Sequence, residues 1–120
     1  MNKICTTIEQ SQKLIELGVD VNTADMYWWA TSKRYYIEAM DDGDFNEREG
    51  HVPAWSLSAL LDVLPVLKRI GYEKAKPNIY FNVFTNKWVC NSLYYTSSSY
   101  DNPLDAVFEI VCWLKENGKI

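Results

Sequence analysis

Histidine is nearly absent from this chain: His51 is the only one among 120 residues. A lone imidazole has no histidine partner for metal binding or proton relay. Its acidic neighbours in sequence leave only a general base oriented by a carboxylate. Cysteine is scarce and scattered, at Cys5, Cys90 and Cys112, with no CxxC spacing, which argues against a zinc site. Each thiol sits among apolar neighbours and reads as a small hydrophobe in a reducing, cytoplasmic setting. Five glycines fall in neither GxGxxG nor GxxxxGK[ST], so those phosphate loops are excluded, and no GxSxG elbow occurs. The opening Met1-Asn2-Lys3-Ile4-Cys5-Thr6 has no apolar signal core, and no uncharged run approaches membrane-spanning length.

Positive charge is also sparse. The net charge is −4, and the longest basic cluster is Lys68-Arg69, with Lys74 and Lys76 following. Nucleic-acid binders carry a basic stripe, so no nucleic-acid partner is expected. Asp41, Asp42, Asp44, Glu47 and Glu49 against Arg48 give residues 41–50 a balance of −4, which leaves the rest of the chain neutral. This reads as a solvated loop. Asp42, Asp44 and Asn46 match the first ligand positions of a calcium loop, but Glu47 stands where glycine is required and Pro53 where a bidentate Glu is required. No metal and no cofactor is expected. Asp20, Asn22 and Asp25 around Thr23 read as local turn and cap chemistry.

What the chain does have is rings: five Trp, eight Tyr and four Phe. With 48% hydrophobic and 23% charged residues, it reads as one globular domain over residues 1–120, large enough to need no staples.

Periodicity organises that domain. A helix is expected over 7–17, opened by a capping box in Thr6-Thr7-Ile8-Glu9 and closed at Gly18, with Val19–Asn22 an extended connector. Ile8, Leu14, Ile15 and Leu17 form its apolar side. Met26–Ala30 and Tyr35–Ala39 read as strands about a polar turn at 31–34. A second helix is expected to begin in Pro53-Ala54-Trp55-Ser56 with Ser56 as N-cap. Its stripe is Leu57, Leu60, Leu61 and Leu64, and it stops or kinks at Pro65. Ile79–Phe84 and Trp88–Tyr95 read as a hairpin turning at 85–87, followed by a flexible Thr96–Ser99 connection. The last helix opens with Asn102 as cap, Pro103 in the first turn and Asp105 at the positive dipole end, and closes at Gly118. The order is α-ββ-α-ββ-α: an α+β domain of about four antiparallel strands packed against three helices.

Adjacent residues on a strand point to opposite faces, so Trp28-Trp29, Tyr35-Tyr36 and Tyr94-Tyr95 each send one ring away from the helices. Outward Tyr and Trp are favoured at interfaces. Two functions follow. The first is a non-enzymatic interaction module that binds a protein partner, or itself, through Trp28, Trp29, Tyr35, Tyr36, Tyr94 and Tyr95, with His51 and Trp55 nearby. The second is a small-ligand or catalytic cleft lined by Trp28, Trp55 and His51, with Asp25 as polar anchor.

Three blocks carry a resemblance: Thr23-Ala24-Asp25-Met26-Tyr27; Pro53-Ala54-Trp55-Ser56-Leu57-Ser58-Ala59-Leu60-Leu61; and Asn102-Pro103-Leu104-Asp105-Ala106 with Glu109 and Trp113-Leu114. Through them the chain resembles a group of short proteins of unknown function encoded by gut bacteria and by their phages and prophages. The likeness covers most of the chain and is weakest from Pro65 to Asn78. It implies a small cytosolic accessory protein, often of mobile-element origin, and carries over no catalytic residue.

Overall fold

The computed structural model describes residues 3–30, 35–39, 51–64, 77–92 and 94–120. The acidic stretch 41–50, the turn at 31–34 and the segment after Leu64, including Pro65 and the basic cluster, lie outside the described residues.

Helix α1 spans Ile8–Glu16. Its N-cap is Thr7, whose hydroxyl accepts from the Gln10 amide while the Gln10 side chain accepts from the Thr7 amide. The capping box is therefore real but shifted by one residue from the Thr6/Glu9 register. The shift frees Thr6 for the interior, where it is wholly buried. The buried side of α1 is Ser11 and Leu14, whereas Ile15 is exposed. Instead of an extended connector, Asp20 caps a single 3₁₀ turn, Val21–Thr23, by accepting from the Asn22 amide.

Strands β1 (Met26–Ala30) and β2 (Tyr35–Ala39) form the expected antiparallel hairpin. A third strand, β3 (Val52–Ala54), pairs antiparallel with the other edge of β1, giving the order β2-β1-β3. Sequence reasoning places Pro53 and Ala54 at a helix start. Pro53 lacks an amide and disfavours a helical residue before it, so the chain stays extended until Ser56. Ser56 then caps α2 (Leu57–Val63) by accepting from the Ala59 amide.

The second sheet is the two-stranded β4–β5, Asn78–Asn82 and Lys87–Asn91. Its turn is 83–86, not 85–87, and β5 ends at Asn91, not Tyr95. Helix α3 (Pro103–Glu116) is capped by Asn102, which accepts from the Asp105 amide, and Gly118 follows it at φ 66°. The fold is α+β, with three α-helices and five antiparallel strands in two sheets among the described residues.

The core is centred on α3. Leu104, Val107, Ile110, Val111 and Leu114 are fully buried against Leu14, Trp55, Leu60 and Cys90. Thr96–Ser99 is not a loose connection. The Ser97 amide donates to the Cys90 carbonyl at 2.8 Å, and the Cys90 amide donates to the Ser97 hydroxyl at 2.9 Å. Trp88 and Tyr100 exchange two backbone bonds, Trp88 N to Tyr100 O at 2.7 Å and Tyr100 N to Trp88 O at 2.9 Å. The segment thus lies along the outer side of β5 like an irregular strand.

Candidate functional site

Trp55 belongs to the core rather than to a surface. Its side chain is fully buried and its indole N–H donates to the Thr23 hydroxyl at 2.8 Å. The Trp55 amide donates to the Thr6 hydroxyl at 3.0 Å, which also shares a 2.8 Å bond with the Ser11 hydroxyl. The Thr6 carbonyl accepts from the Trp28 indole at 2.9 Å. Asp25 does not serve local turn chemistry; it accepts from both the amide and the hydroxyl of Ser56. Trp28, Asp25 and Trp55 are therefore spent on joining β1, α1 and the start of α2.

His51 lies on the other side of the sheet. It stacks on Tyr27, ring centroids 5.0 Å apart, and Tyr27 and Trp28 point to opposite faces of β1. The structure does not gather Trp28, Trp55, His51 and Asp25 around one cleft.

The same outer face carries Trp29 stacked on Tyr36, its directly opposed partner, at 4.7 Å. The Tyr27 hydroxyl donates to Glu38 at 2.7 Å. These are cross-strand pairs that cover one another. One group is left over, since the buried Trp29 indole N–H meets no acceptor among the described residues. Tyr35 is exposed at the end of β2.

Tyr94 and Tyr95 do not alternate on a strand. The chain bends at Ser92, whose hydroxyl donates to the Tyr95 carbonyl and accepts from the Tyr95 amide. Tyr95 then stacks on Trp113 of α3 at 4.9 Å, and the Lys119 ammonium lies 4.8 Å from the Tyr94 ring centroid. Beside them Tyr100 donates to Glu109 at 2.6 Å. Burial pushes the Glu109 carboxyl up, but hydrogen bonding from the Tyr100 and Tyr95 hydroxyls and from Ser98 outweighs it and holds the carboxyl below its ordinary value. Burial, then the bond to Glu109, raises the Tyr100 hydroxyl.

Among the described residues, the most exposed large apolar side chains lie elsewhere. In the turn between β4 and β5, Val83 is 74% and Phe84 95% exposed, and Tyr80 and Phe81 are exposed on the strand leading to them. Phe81 meets Trp88 edge-on at 5.3 Å. This turn is well built. The Asn82 side chain accepts from the Phe84 amide at 2.9 Å, the Asn82 carbonyl accepts from the Asn86 amide at 2.8 Å, and Asn86 takes the left-handed φ of 58°. Asn is one of the few non-glycine residues suited to that conformation. Sequence reasoning missed Tyr80, Phe81, Val83 and Phe84 because it extended the strand through Phe84. The signal was present: residues 77–86 hold no charge at all, between Lys76 and Lys87.

A shallow cavity of about 370 Å³ is lined by Val19, Asp20, Thr23, Asp62, Val63, Lys115 and Ile120. Its Asp20 is already committed to the 3₁₀ cap. Among the described residues no three acidic, His or Cys side chains gather where a metal could bind, and no helix is long and apolar enough to cross a membrane.

No protein-family model, curated protein or solved structure matches the chain.

Proposed function

We propose that this protein is a non-enzymatic protein-interaction module whose contact surface is the aromatic turn of the β4–β5 hairpin. One observation carries the reading: Phe84 stands 95% exposed on a turn held by its own hydrogen bonds. A large apolar ring offered to water from a fixed backbone is ready for a pocket on a partner. Burying it there contributes about 1.5–3 kcal/mol with little ordering cost. Val83 beside it widens the patch, and aromatic anchors of this kind dominate interface energetics. The net charge of −4 favours a protein over a nucleic acid as that partner. The resemblance to short phage and gut-bacterial proteins supports a cytoplasmic accessory role carried on a mobile element.

The test is site-specific photo-crosslinking in cells, with a benzophenone amino acid at position 84 and, as control, at the exposed Glu9 on α1. A discrete adduct with another protein at 84 and none at 9 is expected. No adduct at 84, or the same adducts from both positions, removes the reading.

A further inference from the structure

Among the described residues no strand covers the outer edge of β4, and the pairing on its other side fixes which backbone groups face outward. Trp88 and Cys90 of β5 direct their amides and carbonyls toward Tyr100 and Ser97, away from β4. In an antiparallel pair the bonded positions alternate, so Lys87, Val89 and Asn91 are the residues bonded to β4. Their register partners are Asn82, Tyr80 and Asn78. The amides and carbonyls of Ile79 and Phe81 therefore point outward from the sheet. No strand among the described residues pairs with that edge.

Edges of stable monomers are usually blunted by a charge, a proline or a bulge. Asn78-Ile79-Tyr80-Phe81-Asn82 has none of these, and its register with β5 is unbroken. It is also symmetric in character: Asn at each end, an apolar residue inside each Asn, and Tyr at the centre. An antiparallel copy centred on Tyr80 sets Asn78 against Asn82, Ile79 against Phe81, and Tyr80 against itself. Ile79 and Phe81, which carry the free backbone groups, then become the hydrogen-bonded pairs, four bonds in all by symmetry. Tyr80 falls at a non-bonded position on the two-fold axis, where side chains approach most closely. The exposed flank of Phe81 is covered by Ile79 of the second copy.

We propose that the occupant of this edge is a second copy of the chain, joined β4 to β4 about Tyr80 into a four-stranded sheet with two-fold symmetry. This goes beyond the reading of the 83–86 turn and does not depend on it. The self-complementary strand and the phase of its free backbone groups agree on one register.

That register makes a sharp test possible. Opposed residues at a non-bonded antiparallel position have Cα atoms about 4.5 Å apart, within disulfide reach. Tyr80→Cys should therefore form a covalent dimer when treated with oxidised glutathione. Asn78→Cys should not, because two such positions lie about 13 Å apart in this pairing. The native thiols do not interfere, since Cys5, Cys90 and Cys112 are buried and burial pushes each up to about 11. Light scattering of the wild type should give twice the 13.9 kDa chain mass at high concentration, and Tyr80→Lys, which sets two ammonium groups against each other, the single mass. A wild type monomeric throughout, or equal covalent dimer from both cysteine variants, overturns the proposal. A monomer that still gives Phe84 adducts with another protein would sink this inference and leave the interaction module standing; a covalent Tyr80→Cys dimer without such adducts would do the reverse.

Discussion

Thr6 shows how much one small polar residue can hold. Through its amide, carbonyl and hydroxyl it meets Trp55 twice, Trp28 once and Ser11 once. Thr6→Val keeps the shape but leaves the buried Trp55 amide without an acceptor. It should cost about 1–3 kcal/mol, read as a lower urea midpoint at unchanged slope. Phe84→Ser should behave in the opposite way, leaving the urea midpoint unchanged, because the ring touches water rather than protein. Neither contrast is visible in the sequence, where Thr6 reads as a cap and Phe84 as a strand residue. Both roles depend on which partner lies across space, and spacing along one chain does not carry that. The same reason hid Trp55, whose Trp-Ser context suits a helix start on the surface as well as one in the core.

At the scale of elements the sequence was most legible where local chemistry alone decides. Asn102-Pro103 with Asp105 opens α3 as its residue types require, and Ser56 caps α2. Asn102→Ala should lower stability by about 1 kcal/mol, measured by thermal unfolding. The hairpin turn depends on Asn86 in the left-handed region. Asn86→Val should therefore cost about 1–2 kcal/mol, while Asn86→Gly should cost nothing in the same assay. Legibility failed where an element exists only through its neighbour. Strand β3 has three residues, one of them proline, and is extended because β1 supplies the pairing. The 96–100 segment likewise follows β5 through bonds that polar Ser and Thr residues do not announce.

For the whole molecule, the Tyr100–Glu109 pair makes stability sensitive to pH at both ends. Glu109 titrates lower in the fold than in the open chain, so its contribution is present above about 4.5 and fades as pH falls through the folded value. Tyr100 titrates higher in the fold, so its contribution is present below about 10 and is lost as pH rises beyond that. Denaturation midpoints plotted against pH should fall on both sides, and Tyr100→Phe should flatten the alkaline limb. The three buried thiols give a second global readout. A thiol-specific reagent at pH 8 should label none of them until the chain unfolds, and any prompt labelling would contradict their burial.

The segment around α1 is fastened to the first turn of α3. Lys3 pairs with Asp105 at 2.6 Å, and Gln10 donates to the same carboxylate oxygen at 2.8 Å. During vectorial synthesis Thr6 can meet Trp28 and Trp55 early, but Lys3 and Gln10 must wait for their shared carboxylate until the first turn of α3 has been made. Helix α1 is thus tied down in two stages, and the core that Leu14 shares with α3 stays incomplete until the second.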